Sequence, residues 1–165
     1  MKIELKNIKV LESLSEETNC YTADLWVDGV KTASASNHGH GGCDDYCAYE
    51  GQDQRLEAAY AWAKTLPAKT SETYKNEDGT PMSFEQDLES VVGEILTDWL
   101  IQRDFKKLIK KPTVLMPDGR IIQWNCKADD QRLKPLVSAK EAEGAVYLNG
   151  LSFEDGFAKY RALGA

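Results

Sequence analysis

An α+β fold is predicted by three observations. Two stretches of strand-like residues each run into an Asp-Gly turn, one long stretch carries apolar residues at helical spacing, and the length of 165 residues suits a single domain. The expected architecture is an antiparallel sheet, made of an N-terminal three-stranded meander plus a second hairpin, packed against one long and two or three short helices. With 42% hydrophobic residues, a chain of this length buries roughly 70% of the surface its unfolded form exposes, so a core is available.

Ile3, Leu5, Ile8 and Val10 fit a first strand, and the change of face between Leu5 and Ile8 predicts a bulge near Asn7. After the polar stretch Ser13 to Asn19, the residues Tyr21, Ala23, Leu25 and Val27 alternate with Thr22, Asp24 and Trp26. Asp28-Gly29 then turns the chain into Val30 to Ser36. Asn37 to Gly51 is rich in Gly and Asp and reads as a loop. Leu56, Ala59, Tyr60, Ala63 and Leu66 recur at helical spacing behind Asp53, and Pro67 ends that helix. Residues 67–81 hold two prolines and many polar groups, and predict an exposed, linker-like connection.

Ser83 with Gln86 reads as a capping box. Leu88, Val91, Val92, Ile95, Leu96 and Trp99 form the stripe of a helix running to Lys110 and Lys111, where Pro112 stops it. Thr113 to Met116 and Arg120 to Trp124 flank Pro117-Asp118-Gly119 as a second hairpin. Ala145 to Leu148 fits a further strand, and Ser152 caps a last helix with Phe153, Phe157 and Tyr160 on one face.

The net charge is −7, from 27 acidic and 20 basic side chains, which disfavours direct binding to nucleic acid or an anionic membrane. No apolar run approaches the ~18 residues of a membrane span, and MKIELKNIKVL lacks a signal-peptide core, so a cytoplasmic location with reduced cysteines is expected. The charge is uneven: residues 1–101 are strongly acidic, whereas Arg103, Lys106, Lys107, Lys110 and Lys111 form a basic helix end that suits the helix dipole.

One stretch holds chemistry. Asn37 to Cys47 contains both histidines and two of the four cysteines. As a zinc site, His38, His40, Cys43 and Cys47 would supply two imidazoles and two thiolates, although four ligands within ten residues is not a usual spacing. The preferred reading is backbone geometry, with Gly39, Gly41 and Gly42 letting the chain leave the third strand. A nucleophilic Cys43 or Cys47 with a histidine base ranks third, because Asp44, Asp45 and Glu50 oppose a thiolate. Trp26 and Trp62 are the aromatic candidates for a partner contact, with burial the preferred fate of both.

The succession of a short strand, S-L-S-E-E-T at 13–18, a D-G hairpin and S-N-H-G-H-G-G at 36–42 is similar to small uncharacterised proteins carried by phages, prophages and plasmids. The resemblance implies an accessory protein of a mobile element, for which binding and blocking a host protein is a common role. The expected function is therefore a non-enzymatic acidic interaction module that inhibits a host nucleic-acid-handling or defence complex, with no cofactor and with a host protein of basic surface as partner. Glu72, Glu77, Asp78, Glu85, Asp87 and Glu89 would stand where phosphates stand. A solvated helix start favoured by the dipole explains the same cluster without a partner. A small zinc-binding module is the first alternative and a cysteine-dependent enzyme the last.

Overall fold

The computed structural model describes residues 1–164; the side chain of Glu72, one of the six expected surface carboxylates, lies outside the described residues, as do those beyond Ala162. The chain forms an α+β fold that divides into two compact units, 1–97 and 98–165.

In the first unit, β1 (Ile3–Val10), β2 (Tyr21–Val27), β3 (Val30–Asn37) and β4 (Asp45–Ala48) form an antiparallel sheet in chain order. The meander thus has four strands, and part of the expected 37–51 loop is β4. The bulge stands where the change of face puts it: Asn7 has φ +54°, and the β1–β2 register breaks between Lys6 and Lys9. Asp28 and Gly29 take φ +49° and +79°, the two positive values that a tight hairpin twisting with its strands requires. The Asp28 carboxylate also accepts the Lys2 N–H at 2.7 Å, which ties the turn to the start of β1.

One face of the sheet is buried. Leu25 lies opposite Ala33 and Ala23 opposite Ala35, all at 7% exposure or less. The alanines of β3 leave room for α1 (Asp53–Ala63), which packs on β2 and β3 and buries Leu56, Ala59 and Ala63. Trp26 points to the other face, where the Lys6 ammonium sits 3.7 Å from its ring centre. Trp62 is half-buried on α1.

The 67–81 segment is exposed but not irregular. β5 (Lys69–Lys75) and β6 (Pro81–Phe84) pair as a separate hairpin around Asp78-Gly79. Ser83 therefore belongs to a strand, and the capping box lies four residues further on. Asp87 Oδ1 accepts the Ser90 N–H at 2.7 Å while Ser90 Oγ accepts the Asp87 N–H at 2.9 Å, immediately before α2 (Leu88–Leu108). Leu88, Val92 and Leu96 of the expected stripe are buried.

The second unit holds β7 (Thr113–Leu115), β8 (Ile121–Gln123) and β9 (Val146–Tyr147) as its own sheet in the order β8-β7-β9. The second hairpin thus joins β9 rather than the meander, because its short strands find their third partner in the tail. Val114, Met116 and Ala145 form one buried cluster of this unit; Phe105 centres another with Leu115 and Leu148, and the rings of Phe153, Phe157 and Tyr160 lie at 5.3–5.7 Å from it. The last three belong to α4 (Phe153–Gly164), capped by Ser152 Oγ, which accepts the Asp155 N–H at 3.1 Å. A further helix, α3 (Leu133–Ala142), occupies a stretch where the sequence predicts no particular element; Pro135 and only two buried residues obscure its period. Among the described residues no helix is long and apolar enough to cross a membrane.

Candidate functional site

The glycine loop after β3 is held by its backbone. Asn37 is 5% exposed and uses its whole amide: Oδ1 accepts from Thr18 Oγ1 at 2.7 Å and Gly39 N at 2.8 Å, and Nδ2 donates to the Gly42 carbonyl at 2.9 Å and Asp44 Oδ1 at 3.0 Å. The Gly39 carbonyl in turn accepts the N–H groups of Glu16, Glu17 and Thr18 at 3.0–3.3 Å. Gly39 has φ +87°, and a Cβ there would overlap the Leu14 carbonyl oxygen. Gly41 has φ +84°, with the Glu17 carboxylate lying where its Cβ would stand. Gly42 meets neither constraint.

The four expected zinc ligands are directed elsewhere. His38 Nε2 lies 3.9 Å from Asp45, His40 Nδ1 lies 3.1 Å from Glu16, and Cys43 and Cys47 are exposed. Among the described residues no three His, Cys, Asp or Glu side chains are placed to share a metal ion. Neither imidazole is hydrogen-bonded to a thiol; each faces a carboxylate instead. Cys20 is buried and Cys126 half-buried.

What the loop does position is Asp44. Its Oδ2 accepts the Tyr21 hydroxyl at 2.5 Å and the Tyr46 hydroxyl at 2.9 Å, its Oδ1 accepts Asn37, and its N–H donates to Glu89 Oε1 at 3.3 Å. Burial first, and then the Asp44 charge with its hydrogen bond, push the Tyr21 phenol far above the usual range. Burial again leads for Tyr46, followed by Tyr21 and Asp44. On α1, Tyr60 meets Tyr46 edge-on at 6.0 Å, and its phenol is raised by burial and then by Asp44 and Glu89. These phenols stay protonated near neutral pH, and those of Tyr21 and Tyr46 donate to Asp44.

A cavity of about 350 Å³ opens beside this hub, lined by Glu17, Thr18, Asn37, Asp44, Glu89 and Leu96 among others. Among the described residues no Lys or Arg forms an ion pair with Glu17, Asp44 or Glu89. The cleft is therefore rich in acceptors and negative. Asp44, Tyr21 and Tyr46 were not visible as a unit from sequence, since their convergence depends on the β3–β4 pairing.

The expected acidic surface is only partly an array. Asp78 accepts from Thr80 N and Oγ1, which holds its carboxyl below the usual carboxylate range; Asp87 caps α2; Glu89 turns toward Asp44. Glu77 and Glu85 are exposed. The charge separates between the units. Residues 1–97 carry 18 acidic and 8 basic side chains, a net −10, and residues 98–165 carry 9 and 12, a net +3.

No family model, curated protein or solved structure matches this chain.

Proposed function

We propose that this chain is a non-enzymatic, acidic protein-interaction module whose partner presents a basic surface, and that it acts by occupying a groove that otherwise binds nucleic acid. The observation that supports this reading is the net −10 carried by residues 1–97. Complementary potential of this kind accelerates encounter, rejects acidic partners and excludes polyanions from the occupied surface. The resemblance of residues 1–60 to accessory proteins of mobile elements favours a host protein as that partner.

The test is competition. Proteins retained by the immobilised chain at about 50 mM salt, where exposed charges are weakly screened, are challenged with duplex DNA. Release by DNA supports the reading, and retention unaffected by either DNA or salt opposes it.

A further inference from the structure

The basic end of α2 is not what closes the helix. Gln123 Nε2 donates to the Leu108 carbonyl at 2.8 Å, Asn149 Nδ2 to the Ile109 carbonyl at 2.7 Å and Thr113 Oγ1 to the Lys111 carbonyl at 2.8 Å, so uncharged side chains supply the hydrogen bonds that a helix C-terminus otherwise lacks. The dipole favours cations within the last turn, which holds Lys106 and Lys107, but Arg103 stands before that turn and Lys110 and Lys111 after it. Arg103, Lys106, Lys107 and Lys110 follow at the i, i+3, i+4 and i+7 spacing that puts them on one face, away from buried Phe105, and like charges at this spacing destabilise a helix. Asp104 answers two of them, Arg103 at 2.9 Å and Lys107 at 3.6 Å, and the Lys106 ammonium lies 5.6 Å from the Phe153 ring centre. Lys110 and Lys111 are exposed and form no ion pair among the described residues. From Lys106 to Lys111 there are four lysines and no carboxylate. The face carries a surplus of positive charge that the cap does not use.

The opposite imbalance stands on the same chain. The cleft of about 350 Å³ beside Asp44 holds the Glu17, Asp44 and Glu89 carboxylates. Phenol and amide groups hold Asp44, and a backbone N–H holds Glu89; such neutral donors leave the negative charge in place. Two whole copies carry −7 each and repel at a distance, but at about 0.1 M salt that repulsion reaches only about 10 Å, and the charge of each is divided as −10 and +3. Pairing two acidic units or two lysine faces sets like charges together, so the favoured contact is head to tail.

We infer that the lysine face at the end of α2 docks into the Glu17–Asp44–Glu89 cleft of a second copy of this chain. The acidic module then covers its own surface until a basic partner displaces the neighbouring copy. The inference shares with the proposed function the acidic charge of residues 1–97 and adds the means by which that surface is regulated.

Complementation between two full-length variants tests it. Lys106→Gln, Lys107→Gln, Lys110→Gln and Lys111→Gln together remove the face and keep the cleft, whereas Glu17→Gln with Glu89→Gln discharges the cleft and keeps the face. The lysine variant is expected to associate about tenfold more weakly than the unmodified chain, four exposed pairs at about twofold each. In sedimentation velocity at about 0.1 M salt the average mass of the unmodified chain is expected to rise with concentration, and to return to that of a monomer near about 0.5 M salt. Each variant alone is expected to stay monomeric, while their equimolar mixture forms dimers that grow no further, because only one matched pair of surfaces remains. Self-association that survives in the lysine variant, a mixture that stays monomeric, or a lysine face that binds a short DNA duplex in place of a second copy overturns the inference. A chain that complements in this assay but captures no basic protein removes the proposed function and keeps the head-to-tail contact; capture without complementation does the reverse.

Discussion

Replacing Gly39 by alanine is the most informative single perturbation of the site. At φ +87° an L-residue is disfavoured by about 1–2 kcal/mol. The added methyl would also overlap the Leu14 carbonyl oxygen and come within 2.9 Å of Cys20 Cβ, so the loop must move away from the 12–18 turn. That movement strains the three N–H groups gathered on the Gly39 carbonyl and the Asn37–Gly39 bond, at about 1 kcal/mol for each one lost. With two or three of these four bonds lost, a total of about 3–5 kcal/mol follows, a large share of the stability of a domain this size. Gly42→Ala is the control, because no heavy atom lies within 4 Å of its Cβ position and its φ is not positive; its effect should stay within about 0.5 kcal/mol. Urea unfolding followed by circular dichroism reads both. A Gly39→Ala variant within about 1 kcal/mol of Gly42→Ala would refute the assignment of this loop to backbone geometry.

Other outcomes follow from the same structure. Elemental analysis of untagged protein should return no stoichiometric zinc and chelator should leave the melting temperature unchanged, since His38 and His40 face Asp45 and Glu16; zinc lost on His38→Ala would reverse this. Asp87→Ala should cost about 1 kcal/mol and Ser83→Ala nearly nothing, in paired thermal melts, because Asp87 and not Ser83 caps α2. Tyr21 and Tyr46 are protonated when folded and titrate near pH 10 when unfolded, so the unfolded state binds fewer protons above that pH and stability falls as pH rises. Tyr21→Phe should make this alkaline loss shallower in denaturant titrations at pH 9 to 11, and an equally steep loss would contradict the Asp44 hub. Phe105→Ala should cost about 3–5 kcal/mol, read as loss of the 98–165 unit in hydrogen exchange.

How much of this was legible in the sequence depends on whether a feature announces itself locally. Asp28-Gly29 and the Leu5-to-Ile8 change of face encode backbone positions directly, and both stand as expected. The aromatic face of α4 and its Ser152 cap are equally local. β4 was not legible, since four residues at a sheet edge bury too little to impose a pattern. The 69–84 hairpin was missed for the same reason, since most of its described residues are exposed and it carries no apolar alternation. The expected cap at Ser83 falls four residues early because Asp87 to Ser90, directly after Gln86, supplies a second set of capping side chains and stands next to buried Leu88. Gly39 and Gly41 hold positive φ in a loop whose Gly-rich composition is plain in the sequence, but Asp44 beside them meets partners 23 and 45 positions away along the chain. The charge imbalance was visible from the start; only the division into units shows that it amounts to −10 against +3.

The central claim, that residues 1–97 form an acidic face for a basic partner, is tested most directly by the salt dependence of binding. Affinity for a basic nucleic-acid-binding protein captured by the chain would be measured from about 50 to 500 mM salt, with and without duplex DNA. An acidic face that takes the place of phosphates predicts affinity that falls steeply with salt and a partner that DNA displaces. Affinity flat across that range, with partner and DNA bound side by side, would contradict it.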